Sequence, residues 1–581
     1  LVCGEYKMKK LLKVIIATLT LSTCTAVIAE EFEFVVKQKQ SAIQLAKSTS
    51  NIQKVKGKRS VVIDGFKISN VSINANTMKE ALEKIKSSGD FEYVEPVVLI
   101  QTPKPAKASS YERGNSVSSS STSGKPNDTH FNEQREYLSA FSSGNNGWID
   151  FNTGHDFLSA WANMSDDAKL ARVGVADSGF APHPDIRFAT ESSDFVDMDN
   201  DAMNEVWMRD NPGCSPHGNG VSSTISAVTN NNMGIAGAGK NVDVVASRVL
   251  NCGAGGSQFA DSVYWFAGLS YADQGIADIS EPVDVINLSL GGYVTGGCLT
   301  HVQEAIDYAV ERGIPVVVAA GNTTINAKDF LPAGCDNVIV VGATDWMNER
   351  AAFSNYGDGV DISAQGVDIL GAGLLDKSDE NYVLWWEGTS NAAPLVTAAI
   401  ANVKSEVDGL SVDEITYLLT STSRSYDEGS TCTDSDRSCG AGSLDANAFL
   451  EAAKLYSKGD LSYIRHALAD NTTCDNSIFI DSLSSEIAIC ELYEVTLNAL
   501  ADNKAGVTYN VYRVAKGGTL TVDGADVERI IADESSPNQY LPLTVEELTN
   551  FNYGFTTCDN GVCSSEIIEL SVDAEKVAEC P

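Results

Sequence analysis

The 581-residue chain is poor in histidine, with six, and none stands four residues from another. It contains no HExxH, which excludes the helix-borne zinc site of that class of metallopeptidase. Basic residues are also scarce. Lys and Arg number 41 against 78 Asp and Glu, a net charge of −37. A nucleic-acid-binding protein would normally carry a basic face, so the balance argues against that class. Only one apolar run approaches membrane-spanning length, and it is N-terminal, so a polytopic membrane protein is excluded. Thirteen cysteines occur without dense CxxC pairs, which favours disulfides over zinc ribbons. No internal repeat or heptad is visible. What is present is ample core material: 43% hydrophobic and 8% aromatic residues.

The charge is uneven. Residues 30–125 are net +5 and residues 126–581 net −45. A basic segment that precedes an acidic one is attracted to it if the two fold together. Acidic surface also keeps an exported protein soluble. Met8-Lys9-Lys10, then the apolar stretch Leu11–Ile28, then Ala29 form a signal-peptide pattern over residues 1–29, with the initiator expected at Met8. Residues 30–103 read as a small α+β domain. Strands are expected at Glu33–Val36 and Phe91–Ile100, and a helix at Met78–Lys86 capped by Asn76 or Thr77. Residues 104–125, rich in Ser and Pro, form a protease-accessible linker.

From 126 to 457 short apolar runs alternate with helical stretches. The runs are Ala171–Ala176, Val242–Ala246, Val283–Leu288, Ile314–Ala320 and Val338–Gly342. Such runs predict a parallel sheet covered by helices on both faces, an α/β fold. Residues 458–581 alternate and have few helix signals, which predicts a β-rich extension. In parallel sheets, sites collect at the carboxyl ends of strands. Four chemistry-bearing residues fall at such ends: Asp177 in Asp-Ser-Gly, His217 in His-Gly, Asn322 in Ala-Ala-Gly-Asn, and Ser390 in Gly-Thr-Ser-Asn-Ala-Ala-Pro. Taken singly, Asp177 could be a helix cap, His217 a core histidine and Asn322 a turn residue. Together they supply a nucleophile, a base, an acid to orient the base and an oxyanion donor.

In that order, Asp, His, Asn, Ser, the motifs resemble the subtilisin-like serine peptidases. Ile286–Gly292, Arg350–Gly357 and Gly440–Ala446 extend the resemblance over roughly 126–457, and residues 30–103 resemble the family's intramolecular chaperone and inhibitor. The resemblance implies an exported serine endopeptidase made as a precursor and acting on proteins or peptides. Ser390 is then the nucleophile, His217 the general base and acid, Asp177 the orienting carboxylate, and Asn322 an oxyanion donor beside the Ser390 N–H. Two positions depart from the family's usual pattern. Asn219-Gly220 stands where Thr-His is usual, and Asn391 where Met is usual. A degenerate scaffold serving as a binding protein is disfavoured, because all four site residues are present.

The resemblance also places substrate. Ser289, Leu290 and Gly291 should pair with an extended peptide. Ala319, Ala320 and Gly321 should form the other wall of the primary pocket, with Phe330 near its floor. Two calcium sites are expected. One has Asp185 and Asn231 with carbonyls of Thr229, Met233 and Ile235. The other is the acidic loop Asp194, Asp197, Asp199 and Asp201. Proximity and resemblance suggest the disulfides Cys214–Cys252, Cys298–Cys335 and Cys432–Cys439. Cys558–Cys563 spans an Asn-Gly turn, and pairing Cys474 with Cys490 leaves Cys580 over.

Overall fold

The computed structural model describes residues 30–39, 53–54, 60–63, 66–87, 91–102, 125–137, 141–143, 149–151, 153–203, 214–252, 254–256, 258–373, 383–427 and 429–458, together with strands between 477 and 570. The leader at 1–29, nearly all of the linker, and Cys474, Cys490 and Cys580 lie outside the described residues. The chain divides into two compact units, residues 1–97 and 98–581.

In the first unit Glu30–Lys39 lies antiparallel between Phe66–Ala75 and Tyr93–Pro96. Its alternation puts Phe34 and Val36 in a core with Ile73, Ala75, Ala81 and Ile85. Thr77 caps the helix Met78–Lys86, its Oγ1 accepting from Glu80 N at 3.1 Å, while Glu80 accepts from Asn76 N. The sequence predicted an unbroken strand over Phe91–Ile100. The structure divides it into Tyr93–Pro96 and Ile100–Gln101. Only the first part pairs within the small unit. The smaller unit ends at 97, and Ile100–Gln101 pairs with Ala254–Gly255 within the larger one.

The larger unit is built on seven parallel strands. In spatial order they are Phe188–Asp194, Val242–Arg248, Ala171–Asp177, Val285–Leu288, Val316–Ala319, Ile339–Thr344 and Ile362–Gln365. From Ala171–Asp177 the chain passes to the edge strand Phe188–Asp194, returns through Val242–Arg248, and then builds outward on the other side. The switch point therefore lies beside that strand, and ligand crevices form at its carboxyl end. Asp177 is the strand's last residue.

The helix Thr389–Glu406 packs against six of these strands and is buried along almost its whole length. Its alanines at 392, 393, 398, 399 and 401 allow close approach, while Leu395, Val396, Ile400 and Val403 fill the space. Each such apolar side chain contributes about 1.5–3 kcal/mol of burial. Beyond residue 458 the described residues are strands, among them Val507–Ala515 paired with Phe551–Asp559. Cys558 lies opposite Cys563 where Phe551–Asp559 pairs with Val562–Cys563.

His155 ties the N-terminal crossing to the sheet. Its Nδ1–H donates to Leu444 O and its Nε2 accepts from Gln365 N, each at 2.9 Å. The bond accepted by Nε2 requires the neutral ring, and full burial pushes the imidazole down to about 3. A folded-state value below the unfolded one means that this stabilisation is complete above about pH 6.5. It fades as pH falls toward 3, by up to about 1.4 kcal/mol per unit. The melting-temperature advantage of the wild-type over His155→Gln is expected to shrink from pH 8 to pH 4. An advantage independent of pH would show that protonation of His155 is not linked to folding.

Candidate active site

Asp177 and His217 are both fully buried. His217 Nδ1 lies 2.9 Å from each carboxylate oxygen of Asp177. Asp177 Oδ1 also accepts from Ser178 N at 2.6 Å and Ser178 Oγ at 3.0 Å, so the carboxylate cannot rotate freely. His217 opens the helix His217–Ser226, which packs on the helix that carries Ser390. His217 Nε2 and Ser390 Oγ are buried, each without a hydrogen-bond partner among the described residues. A nucleophile–base bond of this kind commonly tightens only when substrate arrives.

The Ser390 helix has a proline inside its second turn, Pro394. Proline has no N–H to give to the carbonyl four residues back, which is that of Ser390. The hydroxyl of Ser289 donates to that carbonyl instead, at 3.0 Å. Ser289 in turn accepts from Asn287 Nδ2 (2.9 Å), and Asn287 Oδ1 accepts from Thr397 Oγ1 (2.9 Å). One polar chain thus joins the expected substrate strand to the nucleophile's backbone.

Asn322 is held in one orientation. Its Oδ1 accepts from Thr389 N and Thr389 Oγ1, both at 2.9 Å, which turns Nδ2 toward Gly388. Asn355, in the Arg350–Gly357 stretch, braces the same loop by donating to Ala320 O (2.7 Å) and to Gly321 O (2.9 Å). Ala319, Ala320 and Gly321 are buried beside it. The ring of Phe330 touches both walls of the expected pocket. A β-carbon at Gly291 would lie 2.2 Å from it, and one at Gly321 2.8 Å. Between Gly291 and Ala254–Gly255 runs the chain's own segment Ile100–Gln101. Gln101 N donates to Gly291 O (2.9 Å) and Gly291 N to Gln101 O (3.0 Å). Ile100 is buried and Leu99 exposed.

The two departures after His217 have structural partners. Asn219 clasps Ala181 in both directions, accepting from its N at 2.8 Å and donating to its O at 3.1 Å. This fixes the turn that follows Asp177. Gly220 faces the indole of Trp386, to which a β-carbon would come within 2.8 Å. That indole packs edge-on against the His217 ring, centroids 5.7 Å apart. Trp386 was not singled out from the sequence, although Gly220 in place of a larger residue signalled a bulky neighbour.

All three expected disulfides are present: Cys214–Cys252, Cys298–Cys335 and Cys432–Cys439. The first stands just before His217.

In the acidic loop the four expected carboxylates have protein partners. Arg248 Nη1 bridges Asp194 at 2.6 Å and Asp197 at 2.7 Å. Asp199 and Asp201 accept from Asp201 N and Met203 N, closing their own turns. Arginine thus brings positive charge to Asp194 and Asp197. At the other site Asp185 and Asn231 do meet. Asn231 Nδ2 lies 2.7 Å from Asp185 Oδ1, and Ile235 N donates to Oδ2 at 3.1 Å. Gly234 presses so close to Asp185 Oδ2 that a β-carbon would lie 2.1 Å away. Met233 donates its N–H to Asn231 Oδ1, and Thr229 belongs to the same loop. Burial pushes the Asp185 carboxyl up to about 7, and the Asp128 carboxylate adds to the shift. Asp128, not expected from the sequence, accepts from Asn230 N and Asn231 N. Among the described residues no group of three or more His, Cys, Asp or Glu is placed to hold a metal ion.

The model of the subtilase family matches residues 168–442, which include all four strand-end residues. An extracellular basic protease of Dichelobacter nodosus is 31% identical over 74% of this chain and 70% of its own length. The chain belongs to the subtilase family. An extracellular protease of Xanthomonas campestris pv. campestris is 35% identical, over 56% of this subtilase and 57% of the relative. Among solved structures, a protease from Pseudoalteromonas arctica has 32% identity and a TM-score of 0.48, covering 57% of this chain and 99% of that one. No helix among the described residues of this subtilase is long and apolar enough to cross a membrane.

Proposed function

We propose that this subtilase is a secreted serine endopeptidase, released from a precursor by its own activity. The observation that carries the reading is the buried Asp177–His217 pair, with both carboxylate oxygens at 2.9 Å from Nδ1. That contact leaves the opposite nitrogen, Nε2, to act as base. In the proposed step Ser390 Oγ bonds to the substrate carbonyl carbon and its proton passes to His217 Nε2. The carbonyl electron pair moves to oxygen, which accepts from Ser390 N–H and Asn322 Nδ2. His217 then gives the proton to the leaving amine. Water completes hydrolysis by the same route in reverse.

The substrate lies as an added strand along Ser289–Gly291, with Ala319–Gly321 as the second wall of the primary pocket. The pairing of Gln101 with Gly291 supports this, because an extended segment of the chain already uses that edge. Residues 30–103 then act as inhibitor and chaperone, and cleavage follows in the linker 104–125. The leader at 1–29 directs export. Partners are proteins or peptides as substrates and the propeptide itself, with neither nucleic acid nor stable membrane insertion.

A structural calcium ion at the Asp185 loop is the family's expectation, and two hard oxygen donors there support it: the buried Asp185 carboxylate and the nearby Asp128 carboxylate. Asp185 and Asn231, with carbonyls of Thr229, Met233 and Ile235, would hold it. Its chemistry there is structural.

Two measurements test these readings. Incubation of the mature protein with a serine-directed covalent inhibitor, followed by peptide mapping, is expected to place the adduct on Ser390. Labelling elsewhere, or activity that survives without labelling, would contradict the mechanism. Calcium at a hundredfold excess over its Kd is expected to stabilise by about 2.7 kcal/mol. A chelator should lower the melting temperature accordingly, and Asp185→Ala should remove the response. Indifference of the wild-type to chelator would leave the loop a hydrogen-bonded turn without a metal.

A further inference from the structure

A β-carbon built on Gly388 would have three nearest heavy atoms: Ser390 Oγ at 3.0 Å, Asn322 Nδ2 at 3.2 Å and Asn391 Nδ2 at 3.5 Å. The absence of a side chain at Gly388 therefore leaves a small space on which the nucleophile and two side-chain amides converge. Asn322 is turned that way by the two Thr389 donors on its Oδ1. Asn391 is 1% exposed, and its Nδ2 is buried without a hydrogen-bond partner among the described residues. An amide nitrogen in that state has lost its hydration without gaining a hydrogen bond in return. Such a cost persists where the group is satisfied only in another state of the site. Ser390 Oγ is also without a partner, so Asn391 does not spend its N–H on the nucleophile.

We propose that Asn391 Nδ2 is a further donor to the oxyanion, acting beside Asn322 Nδ2 and the Ser390 N–H. The inference rests on the serine-peptidase reading above. When Ser390 Oγ bonds to the carbonyl carbon, its proton goes to His217 Nε2 and the carbonyl π pair becomes a lone pair on oxygen. That oxygen is drawn into the space beside Gly388, where charge develops only in the transition state. A donor already fixed there, in a site that excludes water, lowers the barrier without tightening the ground state. Methionine at this position has no N–H and would make no such bond. Asn391 is thus assigned as a catalytic residue that the usual residue at this position cannot replace.

The test compares the wild-type with Asn391→Leu and Asn391→Met, both full-length and self-processed, with active sites counted by a serine-directed inhibitor. Each variant is expected to lose at least tenfold in kcat on a peptide substrate while KM stays within twofold. One oxyanion donor is worth about 10²–10³ where it has been removed. Affinity for a peptidyl aldehyde, which forms a hemiacetal oxyanion on Ser390, should fall by the same factor. Affinity for the matching peptidyl alcohol, which forms none, should not change. Leucine and methionine both suit a buried helical position, and the variant whose melting temperature matches wild-type is decisive. A kcat and an aldehyde affinity within twofold of wild-type would overturn the proposal, as would equal losses for aldehyde and alcohol. Ser390→Ala is run alongside. If it stays active, the serine-peptidase reading itself fails; if it is inactive while Asn391→Leu is unimpaired, only the Asn391 assignment fails.

Discussion

A carboxylate and an imidazole meet without solvent at the carboxyl end of one parallel strand, and the rest of the site is arranged to keep them there. Burial of a charge is costly unless hydrogen bonds replace water. Asp177 takes those bonds from Ser178 N, Ser178 Oγ and His217 Nδ1. The turn behind it is clasped by Asn219, and the ring in front of it is covered by Trp386. The disulfide from Cys214 to Cys252 closes a separation of 38 residues just before the histidine. A loop of that length is worth about 4 kcal/mol in the chain-entropy account.

The second constraint comes from the proline in the nucleophile helix. Pro394 removes one backbone donor close to Ser390, and a hydroxyl from the substrate strand replaces it. The consequence is mechanical as well as energetic. Ser289, whose neighbours Leu290 and Gly291 are the proposed peptide-pairing edge, is bonded to the carbonyl of Ser390, the proposed nucleophile. A peptide bound along that edge would therefore be positioned by the same network that positions Ser390, to the precision that catalysis requires.

Much of this was legible in the residues. Buried parallel strands read as apolar runs, and Ala171–Asp177, Val242–Arg248, Val285–Leu288, Val316–Ala319 and Ile339–Thr344 all did so. The two end strands did not. Phe188–Asp194 is polar at five of its seven positions and pairs on one side only, while Ile362–Gln365 carries Ser363 and Gln365 among its four residues. The four site residues were legible because strand ends and helix starts carry short local signatures. What escaped were relations between distant residues. An acidic loop looks the same in sequence whether its countercharge is calcium or Arg248. A glycine announces missing volume but not that Trp386 occupies it. Asn391 reads as a polar misfit until Gly388 and Asn322 are placed around the same space.

The central claim is that Asp177 works by holding His217 in one tautomer and orientation. The measurement that bears on it most directly is the turnover of Asp177→Asn, with folding checked by the melting temperature. An amide there keeps the shape and can present its N–H to Nδ1, favouring the tautomer that places the proton on Nε2 and so blocks the base. The account predicts a loss of about 10⁴ in kcat with the fold intact, the size of effect seen for the same exchange in a serine peptidase of another fold. Turnover within tenfold of wild-type would contradict it and remove Asp177 from the catalytic set.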